Sequence, residues 1–352
     1  MAYVEIHLNR IANNAEYLGN LLKNDDIEMV VVSKVTCGDP HIVSAIIEKN
    51  HEIIIGESRV ENLARLHKAG LDIETMLLRP PSTDRVEMAL KYADTILVSD
   101  LTILDTLVKK DPTKDTDFIY MVDTGDLREG VWFEHAFEEL KKAMDFAGEK
   151  VIGIGTNLGC YGGVMATPEK FSILIELGER IRKETGYVFQ YYSAGNTASL
   201  PLLERGNCPK GINQFRLGES IICGTDATNN RNVPGTEQNT AILYGEIIEL
   251  KKKPSIPLGE IGRDAFGRKP EFVDKGWRTR AILDLGEQDV LPKSLKPLDK
   301  NLEVLHASSD HLIVDITESE KEYKIGEQIS FNMTYGALLR VMTSRYVEKV
   351  YL

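Results

Sequence analysis

Apolar, β-branched runs separated by helix-like sequence recur from Met29 to Leu217, and this alternation restricts the fold more than any other property of the chain. One run starts at Met29 and delivers Lys34 to its carboxyl end. The others are Glu52–Ile55, Thr75–Leu78, Thr95–Val98, Asp117–Val122, Val151–Ile154, Val188–Tyr192 and Asn213–Leu217. About eight strand–helix units in roughly 200 residues is the period of a (β/α)8 TIM barrel. A doubly wound open sheet also alternates, but no G-x-G-x-x-G follows an early strand, so that fold ranks second. Ahead of the runs, Val4–Leu8 alternates like a short strand and Asn9 is placed to cap a helix through Leu22.

The alternation changes near Asn229, where Asn-Asn-Arg-Asn-Val-Pro-Gly-Thr reads as a linker. Beyond it, Ala241–Leu250, Thr279–Leu285, His311–Ile316 and Gln328–Met333 alternate with period two, and helix signals nearly vanish. The expected organisation is an α/β barrel over residues 1–232 followed by a mostly antiparallel β domain over 233–352.

In a barrel the segments after the strands meet at one mouth, where barrel enzymes keep their chemistry. Here those segments are Gly56-Glu-Ser-Arg59, Arg79-Pro-Pro81, Asp123-Thr-Gly-Asp-Leu-Arg128, Gly155-Thr-Asn157, Ser193-Ala-Gly-Asn-Thr197 and Arg216-Leu-Gly-Glu219. Lys34 stands at the same end. An amine partly desolvated there forms a Schiff base with a carbonyl, which makes pyridoxal 5'-phosphate the first cofactor to consider. The last two segments, with small residues and a hydroxyl after strands seven and eight, suit a phosphate dianion. Ordinary turn glycines and cap residues account for either of them equally well.

A net charge of -12 disfavours nucleic acid and anionic membranes as partners. No apolar run approaches the roughly 20 residues needed to span a bilayer, and nothing at the start resembles a signal peptide. Cys37, Cys160, Cys208 and Cys223 are scattered without a C-x-x-C pair, so no zinc site or disulfide framework is expected, and a cytoplasmic protein with reduced thiols is.

Six motifs in order, Ser33-Lys-Val-Thr-Cys-Gly-Asp-Pro40, Gly56-Glu-Ser-Arg-Val-Glu-Asn62, Met121-Val-Asp-Thr-Gly-Asp-Leu-Arg-Glu-Gly-Val131, Ser193-Ala-Gly-Asn-Thr197, Arg216-Leu-Gly-Glu219 and Tyr335-Gly-Ala-Leu-Leu339, carry a resemblance. Over essentially its full length the chain resembles the alanine racemase family of pyridoxal-phosphate enzymes, most closely its ornithine racemase branch. The resemblance implies that Lys34 holds the cofactor covalently and serves as base on one substrate face, and that Arg216 faces the pyridine nitrogen. Thr197, Gly218 and Tyr335 fall at phosphate-contact positions, with Asn196 beside them. Arg128 matches an arginine near the cofactor phenolate and the substrate carboxylate.

The departures are informative too. Met121 stands where alanine racemases carry a carbamylated lysine that orients this arginine. Glu287 stands where they place a β-domain tyrosine, the second base, which works across a homodimer interface. Ser309 and Asp310 fall where the second domain approaches the substrate of the partner subunit. The implied activity is racemisation of ornithine or a similar basic amino acid. The alternatives are alanine racemase and a non-catalytic pyridoxal-phosphate homeostasis protein, which lacks the β domain. A barrel decarboxylase would place an acid at the pyridine nitrogen, where this chain has Arg216. A metal-assisted aldolase needs a ligand set that His306 and His311 do not complete in the sequence, so no metal is expected.

Overall fold

The computed structural model describes residues 1–50, 53–111 and 115–352. They form two compact units, one of Asn9–Gln238 and one of Met1–Leu8 with Asn239–Leu352. The first strand, β1 (Tyr3–Ile6), belongs to the second unit, and helix α1 (Leu8–Lys23) follows directly. The helix therefore starts before Asn9, which lies in its first turn rather than at its cap.

Among the described residues of the first unit, eight strands form a closed parallel ring. They are β2 (Glu28–Val32), β3 (Ile54–Glu57), β4 (Thr75–Leu77), β5 (Thr95–Val98), β6 (Asp117–Asp123), β7 (Val151–Gly155), β8 (Tyr191–Asn196) and β9 (Gln214–Leu217). Each pairs with its neighbours in sequence, β9 pairs with β2, and the fold is a TIM barrel. The β-branched and apolar strands suit burial on both faces: the ring buries Val30, Ile54, Met76, Leu97, Ile119 and Met121 together, and the helices cover the outside. Helices α2 (Pro40–Lys49), α3 (Val60–Lys68), α4 (Val86–Tyr92), α5 (Leu101–Lys110), α6 (Ala136–Ala147) and α7 (Pro168–Thr185) lie between strands, followed by the short α8 (Leu200–Glu204) and α9 (Glu219–Ile222). Their starts are written locally: Asp39 and Asp100 accept from backbone N–H groups of the first turns of α2 and α5, and Thr167 does so for α7.

Two expected strands differ. Glu52, the first residue of one, lies outside the described residues. The strand expected at Val188–Tyr192 is Tyr191–Asn196, because Ser193, Ala194 and Gly195 continue it with full burial. A Cβ at Gly195 would stand 2.1 Å from the Phe215 ring, so the missing side chain is what lets that ring pack there, edge-on to Phe171.

The second unit is a mostly antiparallel sheet. Strands β10 (Ala241–Pro254), β11 (Trp277–Leu283), β12 (Leu295–Pro297), β13 (Glu303–Ala307), β14 (Leu312–Asp315) and β15 (Gln328–Met333) run in the order β12-β15-β10-β11-β14-β13. β1 pairs antiparallel with β10 and parallel with β16 (Glu348–Tyr351). Leu243, Ile247, Ala281, Leu283, Val314 and Phe331 are buried in this unit. A helix, α10 (Tyr335–Thr343), interrupts the expected run of strands, with Ala337, Leu338, Val341 and Met342 on its buried face.

Where residue 232 was the expected boundary, the units meet at Gln238 and Asn239. The intervening segment is tied to the barrel: Val233 N, Thr236 Oγ1 and Gln238 Nε2 all donate to Gly224 O, and Asn14 of α1 brackets Glu237 through its backbone N–H and carbonyl. Among the described residues no helix is long and apolar enough to cross a membrane.

Candidate active site

Lys34 opens a single tight turn, Lys34–Thr36, just past the carboxyl end of β2, and its side chain is half-buried. Thr36 Oγ1 and Gly38 N both donate to Ser33 O, and Cys37 and Gly38 adopt left-handed φ of 57°, so the chain reverses into the Asp39 cap of α2. The turn leans on Glu57, the last residue of β3, which is 0% exposed. Its carboxylate accepts from Ser33 Oγ at 3.1 Å, Ser58 N at 2.9 Å and Asn62 Nδ2 at 3.1 Å. Burial pushes the Glu57 carboxyl up from its ordinary range, against the pull of these bonds.

Arg216 lies on β9 and is 7% exposed. Its Nη1 donates to Ser193 O at 2.8 Å and to Ser193 Oγ, and its Nη2 donates to Thr156 O at 2.5 Å. These bonds leave Nε–H and one Nη2 hydrogen for another acceptor. Burial lowers its pKa to about 10, with Glu129 and Cys160 acting the other way, and at neutral pH the group remains a cation.

Arg128 stands in the loop after β6. Met121, seven residues earlier by the numbering, is buried in the barrel core and packs against apolar neighbours. The guanidinium is held instead by Glu129, which accepts from both Nε and Nη2. The loop itself is tight: Asp123 Oδ1 accepts from Gly125 N and Leu127 N, and a Cβ at Gly130 would stand 2.6 Å from Asp123 N.

Across the mouth, Asn196 ends β8 and donates through Nδ2 to Leu158 O at 2.6 Å and to Cys160 Sγ at 3.9 Å. Thr197 Oγ1 and Ser220 Oγ are 3.1 Å apart, and Ser220 N donates to Thr197 Oγ1. Gly218 presses against Val32 at the end of β2. Lys34, Arg128, Asn196, Thr197, Arg216 and Gly218 are thus all carried at the carboxyl ends of strands of one barrel.

The second unit brings another group together. Gly286 packs against Ser309 and Asp310 so closely that a Cβ there would stand 2.4 Å from their backbone, and Glu287 N donates to Ser308 O. Glu287 Oε1 accepts from Arg268 Nη2 at 2.6 Å. Asp310 accepts from Ser309 Oγ and lies 2.7 Å from His311 Nδ1, a partner that holds its carboxyl below the usual range. Asp289, in the same turn, is committed to Gly286 N and Ser344 Oγ. Tyr335 is half-buried at the start of α10.

Sequence reasoning missed Glu57, Asp126, Glu129 and Ser220. A signal existed for Glu57, a carboxylate that ends a fully apolar strand. Asp126 and Glu129 flank Arg128 without any pattern that separates them from solvated loop acids. The donors present suit a phosphorylated aromatic aldehyde: an amine, a buried guanidinium with spare N–H groups, paired hydroxyls, and Asn157 Nδ2, which is buried and has no hydrogen-bond partner.

The family profile described as alanine racemase, N-terminal domain, matches residues 6–225. A lysine racemase of Thermotoga maritima is 46% identical over 348 residues, spanning 98% of this chain and 97% of that protein. An ornithine racemase of Acetoanaerobium sticklandii is 40% identical over 351 residues, spanning 98% of each. Among solved structures, an alanine racemase from Bartonella henselae with covalently bound pyridoxal phosphate shares the fold, with a TM-score of 0.73 at 18% identity, over 100% of this chain and 99% of that one.

Proposed function

The chain belongs to the alanine racemase family and is an amino-acid racemase, and from that premise we propose that it interconverts the enantiomers of a diamino acid, ornithine or lysine, with pyridoxal 5'-phosphate as cofactor. The observation that carries the substrate class is the end-to-end identity of 46% and 40% to a lysine and an ornithine racemase, against 18% to the alanine racemase of Bartonella henselae. An ornithine substrate is the reading the motifs favour. The four free cysteines suit a reducing cytoplasm.

Pyridoxal phosphate, when bound, supplies an electron sink that acidifies the α C–H bond. Lys34 would hold its aldehyde carbon, Thr197, Ser220 and Gly218 its phosphate, Asn196 the loop beside them, and Arg216 its ring nitrogen, and the family resemblance alone assigns Tyr335 to the phosphate. A guanidinium keeps its proton, so it would hydrogen-bond that nitrogen without protonating it, which would favour proton exchange over transamination. Arg128, oriented by Glu129, offers its free N–H edge to the substrate carboxylate. Lys34 Nζ takes and returns the α-proton on one face.

Inversion needs a proton-transfer group on the opposite face. We assign that face to the Glu287, Ser309 and Asp310 cluster of a second copy, in a homodimer whose sites are shared. Glu287 takes the role by exchanging Arg268 for substrate.

Chiral chromatography of the purified protein with added pyridoxal phosphate and L-ornithine, L-lysine or L-alanine tests this reading. The expected result is D-ornithine or D-lysine formed at least tenfold faster than D-alanine, since a buried ammonium with a partner is worth about 1.5–3 kcal/mol. Preference for alanine would sink the diamino-acid assignment.

A further inference from the structure

Asp126 is 0% exposed, and none of its ion pairs or hydrogen bonds among the described residues is to a lysine, arginine or histidine. Its carboxylate is instead bound by four backbone N–H groups of the loop after β7. Oδ1 accepts from Gly159 N at 3.1 Å and Val164 N at 3.2 Å, and Oδ2 from Cys160 N at 3.2 Å and Tyr161 N at 2.8 Å. Its own carbonyl accepts from Gly162 N at 3.1 Å. Successive N–H groups turned to one side make a concave anion site, and here the anion is a side chain of the protein.

The segment that Asp126 binds carries Cys160, whose sulfur accepts from Asn196, and the loop that bears Asp126 carries Arg128 and Glu129 two and three positions on. Glu129 and Cys160 both lie near enough to Arg128 and Arg216 to act on them electrostatically. Thr124 Oγ1 and Thr156 Oγ1, 2.9 Å apart, join these two loops from adjacent strands at their base, and the Asp126 cradle makes them one body at the mouth.

We infer that Asp126 is a positioning residue of the reaction: it locks residues 159–164 to the loop after β6, so that Arg128, Cys160 and Asn196 keep one fixed arrangement at the barrel mouth. The inference rests on the racemase reading of that mouth. A carboxylate is required because each oxygen must accept from two donors. Asparagine has the same shape, but its Nδ2 would face two N–H groups, and half of the cradle would open. The phosphate-side hydroxyls of Thr197 and Ser220 bond each other and do not depend on it.

The test is Asp126→Asn, with Gly162→Ala as a second route, because a Cβ at Gly162 would stand 2.9 Å from Asp126 O and displace the loop with the carboxylate intact. Three quantities are measured on the full-length protein: amide hydrogen exchange of the 159–164 peptide, steady-state kinetics, and the pyridoxal phosphate Kd by titration of the apo form. The expected result in both variants is exchange at least tenfold faster. Substrate kcat/KM falls on the order of 100-fold, as a displacement of about 1 Å at a site produces, chiefly through KM, while the pyridoxal phosphate Kd stays within threefold. Should Asp126→Asn not fold, Gly162→Ala carries the test alone. Faster exchange with kcat/KM within twofold of wild type overturns the inference, and so does unchanged exchange. A wild type that racemises neither ornithine, lysine nor alanine overturns the racemase reading instead.

Discussion

In the barrel, Glu57 and Asp126 are fully buried and bound by N–H and O–H donors, with no cation paired to either carboxylate among the described residues. In the second unit, Asp264, Glu287 and Asp315 each lie against a guanidinium, Arg268 for the first two and Arg278 for the third. Burial pushes the Asp264 carboxyl up, but the backbone N–H groups of Arg268 and Phe266 and the Arg268 side chain outweigh it and hold it at about 2. The Glu57 carboxyl moves the other way. A carboxylate held by backbone donors fixes the geometry of two loops and gives little to salt. One held by arginine is easily exchanged for another cation or donor. The barrel arrangement suits groups that must stay still around a cofactor, and the arginine-paired arrangement suits groups that meet a partner or a substrate.

The sharpest way to break this contrast is to remove a barrel carboxylate. Glu57→Ala leaves the Ser33, Ser58 and Asn62 donors unpaired, and a loss of about 2–4 kcal/mol in urea unfolding is expected. Because the folded state binds the Glu57 proton at a higher pH than the unfolded chain does, the folded state holds more protons in the window above 4.5. The contribution to stability is therefore present below that value and lost as pH rises through the folded-state pKa. Glu57→Gln should abolish that part of the decline, and a pH profile parallel to wild type would refute the assignment.

A smaller effect is expected from the second unit. Glu287→Gln should change stability by less than about 1 kcal/mol, since its partner Arg268 is well exposed. It should nonetheless reduce kcat at least tenfold on both ornithine and lysine. Unchanged kcat would leave the Glu287–Arg268 pair with a structural role only.

The barrel was legible because its strands are buried on both faces, and β5 was placed to the residue by Thr95–Val98. β8 was shifted because Ser193, Ala194 and Gly195 are too small to register as an apolar run, although the ring of Phe215 requires Gly195 to lack a side chain. In the second unit the short strands β12, β13 and β16 were invisible, since three to five residues at an edge carry too little periodicity, and the nine-residue helix α10 was missed as well. For the site, Lys34, Arg128 and Arg216 could be read from motifs. Of the residues that hold them, Glu57 stands out as a carboxylate ending an apolar strand, whereas Glu129 looks like any solvated loop acid beside an arginine, and the bonds of Asp126 to the loop of another strand leave no spacing in the chain.

The most direct measurement compares wild type with Lys34→Ala, each with pyridoxal phosphate and L-ornithine in deuterium oxide, following α-deuterium by mass spectrometry and the D enantiomer by chiral chromatography. The wild type should yield D-ornithine labelled at the α-carbon, and Lys34→Ala should lose both exchange and inversion by about 1,000-fold or more. A Lys34→Ala protein that still inverts ornithine within tenfold of the wild-type rate would contradict the placing of the chemistry on Lys34 at the carboxyl end of β2.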